Sequence, residues 1–415
     1  MLEQTKSKVK KDISRAITRV KGFDNPEMDF QLIRSMGASY YGGGTVGECL
    51  SVASRIKDGD PDSWSGEFGE LGKTVEDEGK KCFEKGHNIS ARDQYLRACN
   101  YFRAAEYYAD FESPMKNKWG MKSRECFLKY LEQTGYYYED LRIPFEETPM
   151  PAYFISPDDT GKKRKTIIII SGFDGTAEES FLQGGKAGLE RGYNVLLLEC
   201  PGQAGMRRFC PDSFFRPDFE VPVGEAIDFI LERPEIDPDR LALYGLSFGG
   251  YFTSRATAYD SRVKALIANS PVIDLYRYMA SFVGEDNIDQ MKDLTLEYIP
   301  QIPDEIMPPV YKNSVSNMLR RFDRNNVGEM FSYMKEFRIG DSIKNINCPA
   351  LAMLGEGEGG EPLRQSGKFC ENVAGPVTMY KFTVKQGADS HCQVSNMPFS
   401  CAVLFDWLDE LFDRI

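Results

Sequence analysis

Histidine is nearly missing from this chain: only His87 and His391 occur in 415 residues. That scarcity excludes a histidine-rich metal site and leaves two imidazoles for acid–base work near neutral pH. Cysteine occurs ten times, at 49, 82, 99, 126, 200, 210, 348, 370, 392 and 401, and never as a CxxC pair. Such spacing suits neither a disulfide framework nor a clustered metal site, so it predicts reduced thiols in a cytoplasmic protein, with no metal and no cofactor. Long apolar runs are missing as well. Nothing approaches the ~20 residues of a membrane helix, and the longest aliphatic stretch, Ile167 to Ile170, reads as a buried strand, so no membrane partner is expected. Positive charge is in deficit, 51 Lys and Arg against 63 Asp and Glu. A net-acidic chain argues against nucleic-acid binding, which needs a basic face. The opening stretch MLEQTKSKVKKDISRAITRVK is basic but lacks an apolar core, and we read it as a solvated helix start, not a secretory or transit signal.

The rest is ordinary globular composition, 41% hydrophobic and 27% charged, in a chain longer than one core usually supports. Two regimes divide it. Up to about Gln133 the periodicity is helical. In Ala91 to Phe111, the residues Tyr95, Ala98, Cys99, Phe102 and Ala105 recur at three- and four-residue spacing. Ser90 stands where an N-cap is expected, with Asp93 three residues on. A further helix is predicted over Lys118 to Gln133, closed by Gly135.

Beyond that point short apolar strands alternate with helices. Strands are predicted at Tyr136–Phe145, Ala152–Ser156, Thr166–Ser171, Asn194–Glu199, Leu241–Leu246, Val263–Ala268, Ala350–Leu354 and Thr378–Thr383. Continuous aliphatic strands such as TIIIIS suit a mostly parallel sheet covered on both faces. The expected organisation is a helical N-terminal domain over 1–135 and an α/β domain with an eight-stranded sheet over 136–415. About 80 residues separate the sixth and seventh strands, too many for a simple crossover. Residues 275–345 are therefore read as a helical insertion, with helices at Ile288–Tyr298, Ser314–Asn325 and Val327–Phe337 around the break IPQIPDEIMPP. Such an insertion would cap the carboxyl edge of the sheet, where these folds place their ligands.

Chemistry concentrates in Gly245-Leu-Ser247-Phe-Gly249, which follows a strand and opens a helix. Glycines two before and two after a serine permit the sharp turn that lifts its hydroxyl clear of the sheet. A serine needs a base within hydrogen-bond reach. His391, in Gly387-Ala-Asp-Ser-His-Cys-Gln393 after the last strand, stands where that base belongs, whereas His87 precedes the main N-terminal helix and is read as a capping or packing residue. The acid that orients the imidazole should follow the seventh strand, in Gly355-Glu-Gly-Glu358-Gly-Gly-Glu361. Glu358 is preferred, with Glu356 close behind and Asp274 after the sixth strand as another location; Asp389 is too near His391 in sequence to face its ring. Backbone N–H donors for an oxyanion are expected from Phe248 and from Phe173, in the loop Ser171-Gly-Phe-Asp-Gly-Thr176. That loop lacks both the GxGxxG and the GxxxxGK[ST] spacing, so a nucleotide site is not expected.

With these motifs in view, the chain resembles a branch of the α/β-hydrolase superfamily that carries an all-helical N-terminal domain. The branch includes fungal hydrolases that shorten polyketides in melanin pathways, dihydropseudooxynicotine hydrolase and esterases of the fermentation-respiration switch type. The resemblance rests on YLRACNYFRAAEYY, Gly172-Phe-Asp-Gly175 with Glu178-Glu179, Cys200-Pro-Gly-Gln203, the Gly245–Gly249 elbow and the His391 motif. It implies a triad of Ser247, a carboxylate and His391, a pocket between the two domains and a homodimer. Where relatives commonly place an aspartate, this chain has GEGEGGE. Relatives cleave either a carbon–carbon bond next to a ketone or an ester. The sequence thus points to a serine hydrolase for a small, largely apolar, polyketide-like carbonyl compound, with aromatics of the insertion (Tyr276, Tyr278, Phe282, Phe331, Tyr333, Phe337) as candidate lining. Acyl transfer uses the same residues. A peptidase of this superfamily would carry a β-propeller where residues 1–135 show helical periodicity. A silent binding protein would typically have lost one of serine, histidine or carboxylate.

Overall fold

The computed structural model describes residues 15–414. The basic opening stretch lies outside the described residues as far as Ser14. Among the described residues five α-helices precede the sheet: α1 (Pro26–Gly37), α2 (Val46–Ala53), α3 (Pro61–Glu84), α4 (Asn88–Tyr108) and α5 (Pro114–Glu132). The helix α4 begins three residues before its expected start, so Ser90 lies inside it and the N-cap position falls to His87, whose side chain makes no capping bond. The first turn of α4 is solvent-facing at Asn88, Ile89 and Ser90, so apolar spacing carries no trace of it. Likewise α5 starts at Pro114, where the Ser113 side chain accepts from the Met115 amide at 3.2 Å. Glycines shape α3. A Cβ on Gly69 would fall 2.5 Å from the Trp119 ring and one on Gly72 2.8 Å from the Phe102 ring, so the two positions let α3 lie directly against aromatic α4 and α5.

Eight strands follow: β1 (Tyr137–Ile143), β2 (Met150–Ser156), β3 (Arg164–Ile170), β4 (Asn194–Leu198), β5 (Ile236–Leu246), β6 (Ala265–Asn269), β7 (Ala350–Gly355) and β8 (Val377–Phe382). They form one sheet in the order β1-β2-β4-β3-β5-β6-β7-β8. The pairings of β2 with β1 and β4 are antiparallel and the rest are parallel. Alternation along β3 explains its unbroken isoleucine run. Ile167 and Ile169 enter a core shared with α1 to α5 and the C-terminal helix, whereas Ile168 and Ile170 enter a second core on the opposite face. All four are fully buried, each worth about 2 kcal/mol over an exposed side chain.

The second face is covered by α6 (Glu220–Leu231), by α7 (Gly249–Tyr259) and by the insertion between β6 and β7. The insertion holds α8 (Leu275–Val283), α9 (Glu285–Met291), α10 (Pro309–Arg321) and α11 (Val327–Met334). The helix expected over Ile288–Tyr298 stops at Met291. Beyond it the carbonyls of Lys292 and Leu294 accept from the Gly328 and Val327 amides at 2.9 and 3.1 Å, so tertiary pairing replaces the continuing helix. The helix expected at Ser314–Asn325 instead spans Pro309–Arg321. Last come α12 (Gly360–Asn372) and α13 (Met397–Phe412).

Buried ion pairs tie the helical layer to the sheet. Arg34 of α1 donates from Nε to Glu179 at 2.6 Å. Arg208 donates to Glu106 of α4 at 2.9 and 2.6 Å and to Glu178 at 3.0 Å. Such pairs, once desolvated, hold only with good hydrogen bonding, which Arg34, Arg208, Glu106 and Glu179 have, while Glu178 bonds through one oxygen.

Candidate active site

Ser247 sits between β5 and α7 at φ 59°, a left-handed conformation that costs a non-glycine residue. The turn closes so tightly that a Cβ on Gly245 would fall 2.0 Å from the Gly249 carbonyl oxygen. The Ser247 amide donates to the Asn269 carbonyl at the end of β6, at 2.5 Å, which anchors the bend to the neighbouring strand.

From that turn the Ser247 hydroxyl lies 2.8 Å from His391 Nε2. On the other side of the ring, Nδ1 lies 2.6 Å from Glu358 Oε2. An ionised carboxylate only accepts, so Nδ1 carries the proton and Nε2 is left to accept from the serine hydroxyl. Glu358 is 3% exposed and is itself fixed, its Oε2 accepting from the Ser270 hydroxyl at 2.6 Å and its Oε1 from the Gly355 amide at 2.8 Å. Burial disfavours the imidazolium of His391, but the Cys392 side chain and the Glu358 carboxylate favour it and prevail, raising the pKa above its ordinary value.

The other carboxylates lie elsewhere. Glu356 accepts from the Val384 amide at 3.0 Å and faces Lys381. Asp274 caps α8, accepting from the Arg277 amide at 3.0 Å. Asp389 turns away from the imidazole to residues 17 and 18. His87 is exposed at the start of α4.

The loop after β3 packs over the elbow. A Cβ on Gly172 would fall 2.7 Å from Ser247 Cβ and 2.9 Å from the Phe248 nitrogen, so the segment leading to Phe173 runs against the serine. Among the described residues neither the Phe173 nor the Phe248 amide is used by a turn, loop or cap hydrogen bond. The loop is held from behind: Gln203 Nε2 donates to the Ser171 carbonyl at 2.7 Å, and Arg321 of α10 donates to the Phe173 carbonyl at 2.8 Å.

Ser247 and His391 open into a pocket between the helical layer and the insertion. Its apolar wall comes from Tyr278, Met279 and Phe282 of α8, Val310 and Met318 of α10, and Phe322. Of the other aromatics expected there, Phe331 and Phe337 are buried in the second core, and Tyr276 and Tyr333 line separate surface grooves. Phe331 and Phe337 are therefore packing residues of that core, and Tyr276 and Tyr333 pack against it partly buried.

Polar residues to which the sequence reading gave no role also line the pocket, among them Arg15, Glu27, Tyr107 and Asp174. Arg15 donates to Glu27 at 3.2 Å and to the Tyr107 hydroxyl at 3.3 Å. Burial works against the charge on Asp174, yet Arg34 and Arg15 hold its carboxyl well below the usual carboxylate range. Tyr107 and Asp174 lie in motifs that carried the resemblance, but no local pattern shows that the four meet, because they come together only through tertiary packing. Among the described residues no group of His, Cys, Asp or Glu has the arrangement of a metal site, all ten cysteines are free, and no helix is long and apolar enough to cross a membrane.

A model of the prolyl oligopeptidase family matches residues 223–295, the stretch that includes the elbow. Hydrolase ORFZ of Pyricularia oryzae is 31% identical over 354 residues, covering 79% of this chain and 82% of that protein. The alpha/beta hydrolase xenA of Xenoacremonium sinensis is 33% identical over 258 residues, 60% of each chain. The chain belongs to the α/β-hydrolases. Among solved structures, this α/β-hydrolase superposes on 2,6-dihydroxy-pseudo-oxynicotine hydrolase with a TM-score of 0.69 at 18% identity, covering 90% of this chain and 95% of that one. The structure described as AbyA5 wildtype gives 0.64 at 14% identity, over 94% and 95%. Both likenesses extend through the helical layer as well as the sheet.

Proposed function

We propose that this hydrolase works through Ser247, His391 and Glu358 on a small, largely apolar, polyketide-like carbonyl compound, cleaving a carbon–carbon bond next to a ketone or an ester bond. The observation that carries the reading is the continuous chain from the Ser247 hydroxyl through His391 to Glu358, at 2.8 and 2.6 Å, opening into an apolar pocket. His391 Nε2 takes the serine proton as Oγ attacks the carbonyl carbon. Negative charge gathers on the carbonyl oxygen and is met by the amides of Phe173 and Phe248. Glu358 stabilises the imidazolium, which then gives its proton to the leaving group, an alkoxide oxygen for an ester or a carbanion stabilised by its neighbouring carbonyl for a ketone. Water activated by the same imidazole releases the acyl group. The apolar wall selects a hydrocarbon or aromatic body, and the polar edge at Arg15, Tyr107 and Asp174 meets its oxygens.

Ser247→Ala should abolish both turnover and labelling by a fluorophosphonate. Turnover that persists in this variant would end the proposal. A panel of β-diketones and acyl-naphthopyrones beside short p-nitrophenyl esters separates the two bond types, and turnover of esters alone rejects the carbon–carbon reading. We further propose a homodimer. Exposed Tyr40, Val46 and Leu50 on the helical layer are its candidate contacts, and sedimentation equilibrium tests it.

A further inference from the structure

Residues 15–18 run beside the two loops that carry Glu358 and His391, and they are held there by backbone and side chain alike. The His391 amide donates to the Arg15 carbonyl at 2.8 Å. Two residues before the imidazole, the fully buried Asp389 carboxylate accepts from the Ile17 amide at 2.7 Å, the Thr18 amide at 3.0 Å and the Thr18 hydroxyl at 2.5 Å. The acid loop closes the third side. The Gly357 amide donates to the Asp389 carbonyl at 2.9 Å, and a Cβ on Gly357 would fall 2.9 Å from both Ala16 Cα and Ile17 N. At its other end the segment is tied to the helical layer, where the Arg15 guanidinium reaches Glu27 of α1 and Tyr107 of α4.

We propose that residues 15–18 form a strap that positions the catalytic base, with Asp389 as its positioning residue. The proposal rests on the reading of Ser247, His391 and Glu358 given above. An acceptor-only carboxylate in a buried place must be met by donors, and the donors recorded for Asp389 all belong to the strap. With the strap seated, the base loop has one arrangement, and His391 Nε2 stands at hydrogen-bond distance from Ser247. With it displaced, the buried carboxylate and the His391 amide lose their partners together, and the loop must shift to find others. Asp389 therefore acts through His391 without facing its ring. It links the helical layer to the catalytic loops across nearly the whole chain.

The test reads fluorophosphonate labelling of Ser247, which needs no natural substrate, alongside circular dichroism for folded fraction. Asp389→Asn should lower the maximal labelling rate by about tenfold, the scale of a modest misplacement of a reacting group. The reagent concentration at half-maximal rate should stay within about twofold, and the acidic limb of the pH–rate profile should move to lower pH as the His391–Glu358 contact loosens. Thr18→Val should move the same readouts in the same direction by less, and Thr18→Ser, which restores the hydroxyl, should match the unmodified protein. Gly357→Ala crowds the strap without changing charge, and it should slow labelling too. Unmodified rate and pH limb in folded Asp389→Asn or Gly357→Ala overturn the proposal, as does a loss that merely follows folded fraction. If Ser247→Ala is still labelled at the same site, the reading of the active site has failed instead, whatever the strap variants do.

Discussion

Replacing Glu358 by glutamine is the sharpest perturbation of the proposed triad, because it keeps shape and removes charge. The carboxylate lies 2.6 Å from His391 Nδ1 and is held by the Ser270 hydroxyl and the Gly355 amide. An amide there can turn its NH₂ toward Nδ1, favouring the tautomer with its proton on Nε2, the wrong nitrogen for a base facing Ser247. The isosteric change in serine proteases costs about 10⁴ in kcat, and the same geometry here predicts a fall of about 10³ to 10⁴, or roughly 4–5.5 kcal/mol of barrier. The pH profile gives an independent sign. Burial lowers the His391 pKa, while Cys392 and Glu358 raise it with net upward effect. The base is active only when neutral, so the acidic limb of kcat/KM in the intact enzyme should lie above the ordinary histidine value of about 6.5. In Glu358→Gln the burial and the Cys392 contribution remain while the Glu358 attraction is gone, so the limb should move to lower pH. Hydrolysis of a p-nitrophenyl ester from pH 5 to 10 measures both. An unmoved limb, or a kcat within tenfold of the intact enzyme, would refute the assignment of Glu358.

The raised His391 pKa also predicts a stability trend. Its contribution should be fully present below about pH 6.5 and lost as pH rises through the folded value; thermal melts of the intact protein and His391→Gln across that range should converge at high pH, and parallel curves would reject it. Arg34→Met removes the bidentate partner of Glu179 and leaves that buried carboxylate with Arg103 at 3.7 Å. It should cost about 3–5 kcal/mol of unfolding free energy in urea, and a cost under about 1 kcal/mol would mean the pair is not desolvated as it stands. Phe282→Ala opens the apolar wall of the pocket and should lower kcat/KM for a bulky aromatic ester by about tenfold while sparing an acetyl ester. Equal losses on both would move Phe282 out of the substrate's path.

How far the sequence could be read follows the range of the interactions involved. The elbow was legible because the glycines that permit its turn lie within two residues of Ser247, although the turn is also anchored to Asn269 of the neighbouring strand. Glu358 was distinguishable from Glu356 only by its place three residues after Gly355, and the structure gives that spacing its reason: one short helical turn, Glu356–Glu358, carries the third residue's carboxylate back onto the Gly355 amide. Helix α3 was obscured by its own packing. The glycines that let it approach Trp119 and Phe102 also depress helix propensity by about 1 kcal/mol each, so the signal was erased where the contact is closest. In the insertion, Lys292 to Tyr298 has helical spacing, but its carbonyls pair with residues 327 and 328 instead.

The pocket edge and the strap were illegible for a stronger reason. Ile17 and Asp389 are 372 positions apart, and neither residue has a neighbour whose type announces the other. What could be read was a demand: an aspartate two residues before the base, with no lysine or arginine between Lys385 and Arg414, must find donors from outside its own loop if it is buried. The structure answers that demand with amides from the far end of the chain. An unmet electrostatic requirement in a catalytic loop is thus a signal for long-range closure even where the partner cannot be named. The helical layer, which places no residue in the proposed triad, is thereby joined to the base through residues 15–18.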